Sequence, residues 1–139
     1  MESWVDKVVL KWSREGVKIN EPAPNELIEQ TERVLKFSFP TDFKEFYSVI
    51  NGFKDLDWQE HMFYFWPLER IMEECFDLQD KDFIPFCDFL LASHYIGFKR
   101  NQHGIYKLYS NLNESESIPI AQTIEEVVLL INSSSDLIY

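Results

Sequence analysis

The stretch from Leu35 to Phe53 reads Leu-Lys-Phe-Ser-Phe-Pro-Thr-Asp-Phe-Lys-Glu-Phe-Tyr-Ser-Val-Ile-Asn-Gly-Phe. Proline breaks a helix interior because it lacks an N–H, but its fixed φ suits a helix entry, which is where Pro40 falls. Phe43, Phe46, Tyr47 and Ile50 follow at the i, i+3, i+4, i+7 spacing that gathers side chains on one helical face. Such a face has to be buried, so the segment predicts a short core helix after Pro40. Asn51-Gly52 marks its expected close, since both residues tolerate positive φ.

Toward the N-terminus, Glu2 to Glu15 reads as a helix. Trp4, Val8 and Trp12 form one stripe, Val5 and Val9 lie beside it, and Gly16 offers a left-handed stop. Pro22 and Pro24 interrupt the chain. A second helix is expected from Asn25, read as its N-cap, with Leu27, Ile28, Thr31, Val34 and Leu35 inward. Toward the C-terminus, Met62 to Trp66 is aromatic-rich and reads as a strand. Pro67 then opens a helix with Leu68, Ile71, Met72, Cys75 and Phe76 on one face. Phe83-Ile84-Pro85-Phe86 predicts a strand whose proline belongs at an edge or an end. His94–Lys99 and Ile105–Tyr109 read as a hairpin across Asn101-Gln102-His103-Gly104. Ile118-Pro119-Ile120 is a brief extended piece. Thr123 and Glu126 make a capping box for a last helix with Ile124, Val127, Val128 and Ile131 inward. Helices first, hairpins next and one closing helix define an α+β fold.

The chain has 139 residues, 45% of them hydrophobic. That length suits one domain over residues 1–139. With 24 acidic and 13 basic residues the net charge is −11. Such a field repels phosphate backbones and anionic membranes, so no direct nucleic-acid or membrane partner is expected. It favours a cationic partner by long-range attraction. The N-terminus shows no basic stretch followed by an apolar one, no apolar run nears a membrane span, and Cys75 and Cys87 are not spaced as Cys-x-x-Cys. On these features the cytoplasm is the expected location.

The segment Leu35–Phe53 resembles the signature of the SUKH superfamily (Smi/Knr-like domains): a hydrophobic residue and proline, an aromatic-rich helix, then Asn-Gly. Phe83-Ile84-Pro85-Phe86-Cys87-Asp88 and Ile120-Ala121-Gln122-Thr123-Ile124 fall where that family has similar pieces, and the likeness runs from about Asn25 to Ile131. Phe39 stands where the family often has Leu, and Leu90–Ser110 lacks its glycine- and acid-rich turn. The resemblance implies an antiparallel or mixed sheet of about four to six strands packed by N-terminal helices and one C-terminal helix. It also implies a role in binding. Many bacterial members are immunity proteins that neutralise a cognate toxin, commonly a nuclease, and fungal relatives are regulatory scaffolds of cell-wall synthesis. The motif residues also have a purely architectural reading, in which Pro40 sets the helix entry, the aromatics pack the core and Gly52 caps.

Catalytic groups do not converge in the sequence. His61, His94 and His103 lack any H-E-x-x-H spacing, and no P-loop, G-x-S-x-G or G-x-G-x-x-G is present. Cys87, His94 and His103 could be drawn as a metal site but form no motif. Asp55-x-Asp57 and Asp80-x-Asp82 lack the glycine and distal glutamate of a calcium loop. Carboxylates are numerous enough for a glycosidase-like pair, but number alone points to no reaction. The sequence therefore reads as a non-enzyme with no cofactor and no metal.

Charge is concentrated in the middle of the chain. Residues 55–88 hold ten acids and two bases, whereas residues 1–54 hold nine and eight. After Pro67, Glu69, Glu73 and Asp77 recur every four residues with Glu74 beside them, a spacing that opposes helix formation. Asp55-Leu56-Asp57-Trp58-Gln59-Glu60 sets a tryptophan among acids, a composition common at interfaces. The plain alternative is a solvated face with Trp58 tucked into the core. Taken with the resemblance, Asp55, Asp57, Trp58, Glu60, Glu69, Glu73, Glu74 and Asp77 are the expected partner-binding residues. They would meet a basic protein, a cognate toxin in one reading and an endogenous partner in the other.

Overall fold

In a computed structural model of the chain, residues 3–54, 58–77, 81–90, 93–109 and 118–139 are described. Helix α1 (Trp4–Arg14) starts at a capping box. The Ser3 hydroxyl accepts from the Asp6 N–H, and the Asp6 carboxylate accepts from the Ser3 N–H. The helix stops before Gly16 at φ +83°, as the sequence implies. Helix α2 (Asn25–Leu35) buries Ile28, Thr31 and Leu35, but Asn25 is not its cap. Pro24 holds the N-cap position instead, and its carbonyl accepts from the Leu27 and Ile28 N–H groups. Val34, expected inward, is exposed.

Helix α3 (Thr41–Tyr47) begins directly after Pro40 and buries Phe43, Phe46 and Tyr47, with Ile50 buried just beyond it. Its rings continue a stack, Phe39 on Phe43 at 4.3 Å and Phe43 on Tyr47 at 4.4 Å between centroids. The helix ends at Tyr47 with Ser48 as its cap, so Asn51-Gly52 does not close it. Only Gly52 of that pair takes positive φ.

Four strands form an antiparallel sheet in the order β1 (Phe63–Phe65), β2 (Phe83–Phe89), β3 (His94–Lys99), β4 (Ile105–Tyr109). The predicted hairpin is β3–β4. Strand β2 runs three residues further than its sequence pattern indicates and is paired on both sides, so Pro85 is not on an edge strand. The proline is tolerated because it lies beyond the short β1 and beside a register shift between Pro85 and Cys87. Its partner on β3 is Gly97, where any Cβ would come 2.2 Å from the Ile84 carbonyl oxygen.

Helix α4 (Leu68–Asp77) packs against α2 and β2. Helix α5 (Ile124–Asn132) is capped by Thr123 and buries Ile124, Val127, Val128 and Ile131. The Glu126 carboxylate of the expected capping box turns back to the Gln122 N–H. The Ile124 N–H donates instead to Asp42 of α3 at 2.7 Å, so one helix caps another. Trp12 centres the core: its ring meets Phe46, Phe53 and Phe65, and its Nε1–H donates to Asn132 Oδ1 at 3.0 Å. Truncating a side chain of that size to alanine costs about 3–5 kcal/mol. A closing 3₁₀ turn, Asp136–Ile138, buries Ile138.

Candidate functional site, an acidic helix beside a proline-walled groove

Helix α4 is positioned from both ends of its first two turns. Pro67 precedes it, and the Leu68 N–H donates to Asn51 Oδ1 at 2.8 Å, so Asn51 caps it from another part of the chain. The same amide donates through Nδ2 to Glu69 Oε1 at 2.9 Å. Two residues past Leu68, the Arg70 guanidinium lies 4.5 Å from the Trp66 ring centroid and 5.2 Å from that of Tyr64. Its Nη2 is 3.6 Å from Asp88 Oδ2, which also accepts from Trp66 Nε1–H at 2.8 Å. Asp88 is buried, and the indole hydrogen bond together with the nearby guanidinium charge favours its carboxylate. Arg70 thus pins the acidic helix to the sheet, with its Nε 3.8 Å from Glu74.

Of the predicted site residues, Glu69 and Glu73 are exposed on α4, four residues apart and so on one face, and Glu74 is half-buried beside them. Glu73 makes no hydrogen bond or ion pair to the described residues. Glu60 is not part of that group by its contacts, which run to Lys11 of α1 at 3.4 Å and to His61 at 3.3 Å. Lys11 is also paired with Glu15, and that hydrogen bond raises its pKa. Trp58 is half-buried and packs against the core. The turn after it is tied by Gln59, whose side-chain oxygen accepts from the His61 and Phe63 N–H groups. Asp55 and Asp57 lie outside the described residues, as does the side chain of Asp77. The described acids of this group have local partners, which offset the mutual repulsion that their spacing implies. Asn51, Arg70, Lys11 and His61 each meet one of them.

Residues that sequence spacing did not single out complete the site. Asn20, Glu21, Pro22, Pro24, Leu27 and Lys54 join Asn51, Pro67 and Glu69 around an open groove of about 510 Å³ beside the start of α4. Of the contacts around the site, only Arg70–Glu74, at i, i+4, has a signal in local spacing, and the sequence reading does not single it out. The Asn51–Glu69 and Arg70–Asp88 contacts join segments far apart in the chain.

The histidines and cysteines sit apart. His61 is half-buried beside Glu60, His103 is exposed on the β3–β4 loop, and His94 is buried at the other end of β3. Cys87, His94 and His103 therefore do not converge. His94 contacts the Ile138 carbonyl through Nε2 at 2.9 Å, and burial lowers its pKa. Burial pushes the Cys75 thiol up to about 11 and the Cys87 thiol well above its ordinary value, which keeps both as poor nucleophiles. Among the described residues no group of three or more His, Cys, Asp or Glu is placed to hold a metal ion, and no helix is long and apolar enough to cross a membrane.

The fold is α+β, an antiparallel four-stranded sheet flanked by helices, one of which carries the acids. Residues 22–129 match the model of the SMI1/KNR4 family (SUKH-1), and the chain belongs to that family. Its members are generally non-catalytic protein-interaction domains. A comparison with curated proteins gives no match.

Proposed function

We propose that this chain is an immunity protein, a stoichiometric inhibitor that docks on a basic toxin, most simply a nuclease whose active site must attract phosphates. The observation that supports this reading is the α4 surface. Its carboxylates are displayed on a helix held rigid by Arg70 and Asn51, within a segment carrying ten acids against two bases. A pre-positioned acidic face loses little conformational freedom on docking and accelerates encounter with a cationic cleft. Such a complex would work by occupying the cleft rather than by chemistry.

Co-expression with the product of the adjacent gene tests the reading. Cells making that product alone should stop growing, and cells that also make this chain should recover with a one-to-one complex. A non-toxic neighbour, or toxicity unchanged by this chain, would assign the module to a different partner.

A further inference from the structure

The groove beside α4 has a shape and charge that select its occupant. Its floor is fixed backbone. Ile19 bridges Phe53, the Asn20 N–H donates to the Gly52 carbonyl at 3.0 Å, and the Asn51 N–H donates to the Glu21 carbonyl at 3.1 Å. The Asn20 side chain adds bonds from Nδ2 to the Asn51 and Phe53 carbonyls at 2.9 and 3.2 Å. Pro22, Pro24, Leu27 and Pro67 supply apolar walls. Two carboxylates, Glu21 and Glu69, stand at the rim against one ammonium, Lys54. Asn51 holds Glu69 through Oε1, which leaves Oε2 without a donor among the described residues. Glu21 has no side-chain partner among them.

We infer that this groove receives an arginine side chain of the basic partner, its stem lying on the proline and leucine walls and its guanidinium on Glu69 and Glu21. Long cationic side chains bury an aliphatic stem on apolar surface and keep the charged head polar, which matches this lining. A guanidinium presents its donors as a fork, and Glu69, already oriented by Asn51, offers a fixed acceptor for it. The net charge of −11 adds a field of the same sign. Lys54 opposes the occupant and gives the inference a signed test. The inference rests on the reading that the partner is basic.

The probe is the blocked peptide Gly-Gly-Arg-Gly-Gly, compared with its citrulline version, which keeps the shape and removes the charge. Titrated into the isotope-labelled full chain, the arginine peptide should shift the Asn51 side-chain amide and the Leu68 N–H signals. The citrulline peptide should not. Glu69→Gln should weaken binding by about two- to fivefold, and Lys54→Gln should strengthen it by about twofold. Gln at position 69 can still accept from Asn51, so that variant should stay folded, and the Lys54 side chain makes no bond among the described residues that Lys54→Gln would break. Equal binding of the two peptides, shifts confined to Glu73 and its neighbours, or indifference to both substitutions would overturn the groove. Recovery of growth in the co-expression experiment reports separately on the immunity reading, so either idea can fail without the other.

Discussion

Gly52 sits where two backbones nearly touch. Its φ is +69°, and a Cβ there would lie 2.5 Å from the Trp66 carbonyl carbon and 2.6 Å from the Pro67 nitrogen. Both neighbours are main chain, and both belong to the entry of α4, so neither can yield without moving the acidic helix. Gly52→Ala should destabilise the protein by about 2–4 kcal/mol and Gly52→Val by more, since left-handed strain and a backbone clash act together. Urea denaturation followed by fluorescence measures this, and an Ala variant with an unchanged midpoint would show that the contact relaxes freely. The sequence marks Gly52 as a positive-φ position for the wrong reason. A glycine after an aromatic helix looks like a stop signal, yet the constraint comes from Trp66 and Pro67, which no local pattern connects to it. Gly97 is a second case, required by the Ile84 carbonyl across the β2–β3 pair.

Among the elements, those with local causes are the ones that sequence pattern places well. The β3–β4 hairpin falls on the expected residues because its turn uses Asn101 and Gly104 at positive φ, a short-range signal. Helix α5 follows from Thr123 and the periodic apolar residues. Strand β2 extends past Phe86 because Cys87, Asp88 and Phe89 pair with both neighbours, and alternation does not show that. The final 3₁₀ turn carries too few residues to leave a periodic trace. The acidic stripe of α4 was legible from its spacing of four, whereas its cap was not, since Asn51 acts across seventeen residues. That cap gives a test at this scale. Asn51→Asp keeps the acceptor for the Leu68 N–H but sets a second carboxylate against Glu69, and should cost about 1–2 kcal/mol. Adding Glu69→Gln should restore most of the loss, because its amide can donate to Asp at position 51. A double-mutant cycle on thermal or urea midpoints reads the coupling, and strict additivity would mean that Asn51 and Glu69 act independently.

At the scale of the whole molecule the question is whether the charge acts as a total or as a placed face. A net charge of −11 attracts any cationic partner, but Asn51 holds Glu69 and Arg70 ties the helix that carries the acids to Asp88. Glu73 and Glu125 separate the two cases. Each is exposed, one on α4 and the other on α5, and reversing either to lysine changes the total by the same amount. Among the described residues neither side chain has a bond whose loss would weaken the fold, so both variants should melt with the wild type. If the placed face guides docking, Glu73→Lys should slow association with the co-expressed partner by about five- to tenfold at low salt, and Glu125→Lys by less than about twofold. The gap should close above about 0.3 M salt, where screening shortens the reach of surface charges to a few ångströms. Stopped-flow rates against ionic strength decide it. Equal slowing by the two reversals would reduce α4 to its share of the total charge, and unchanged rates in both would move the docking face to another side of the sheet.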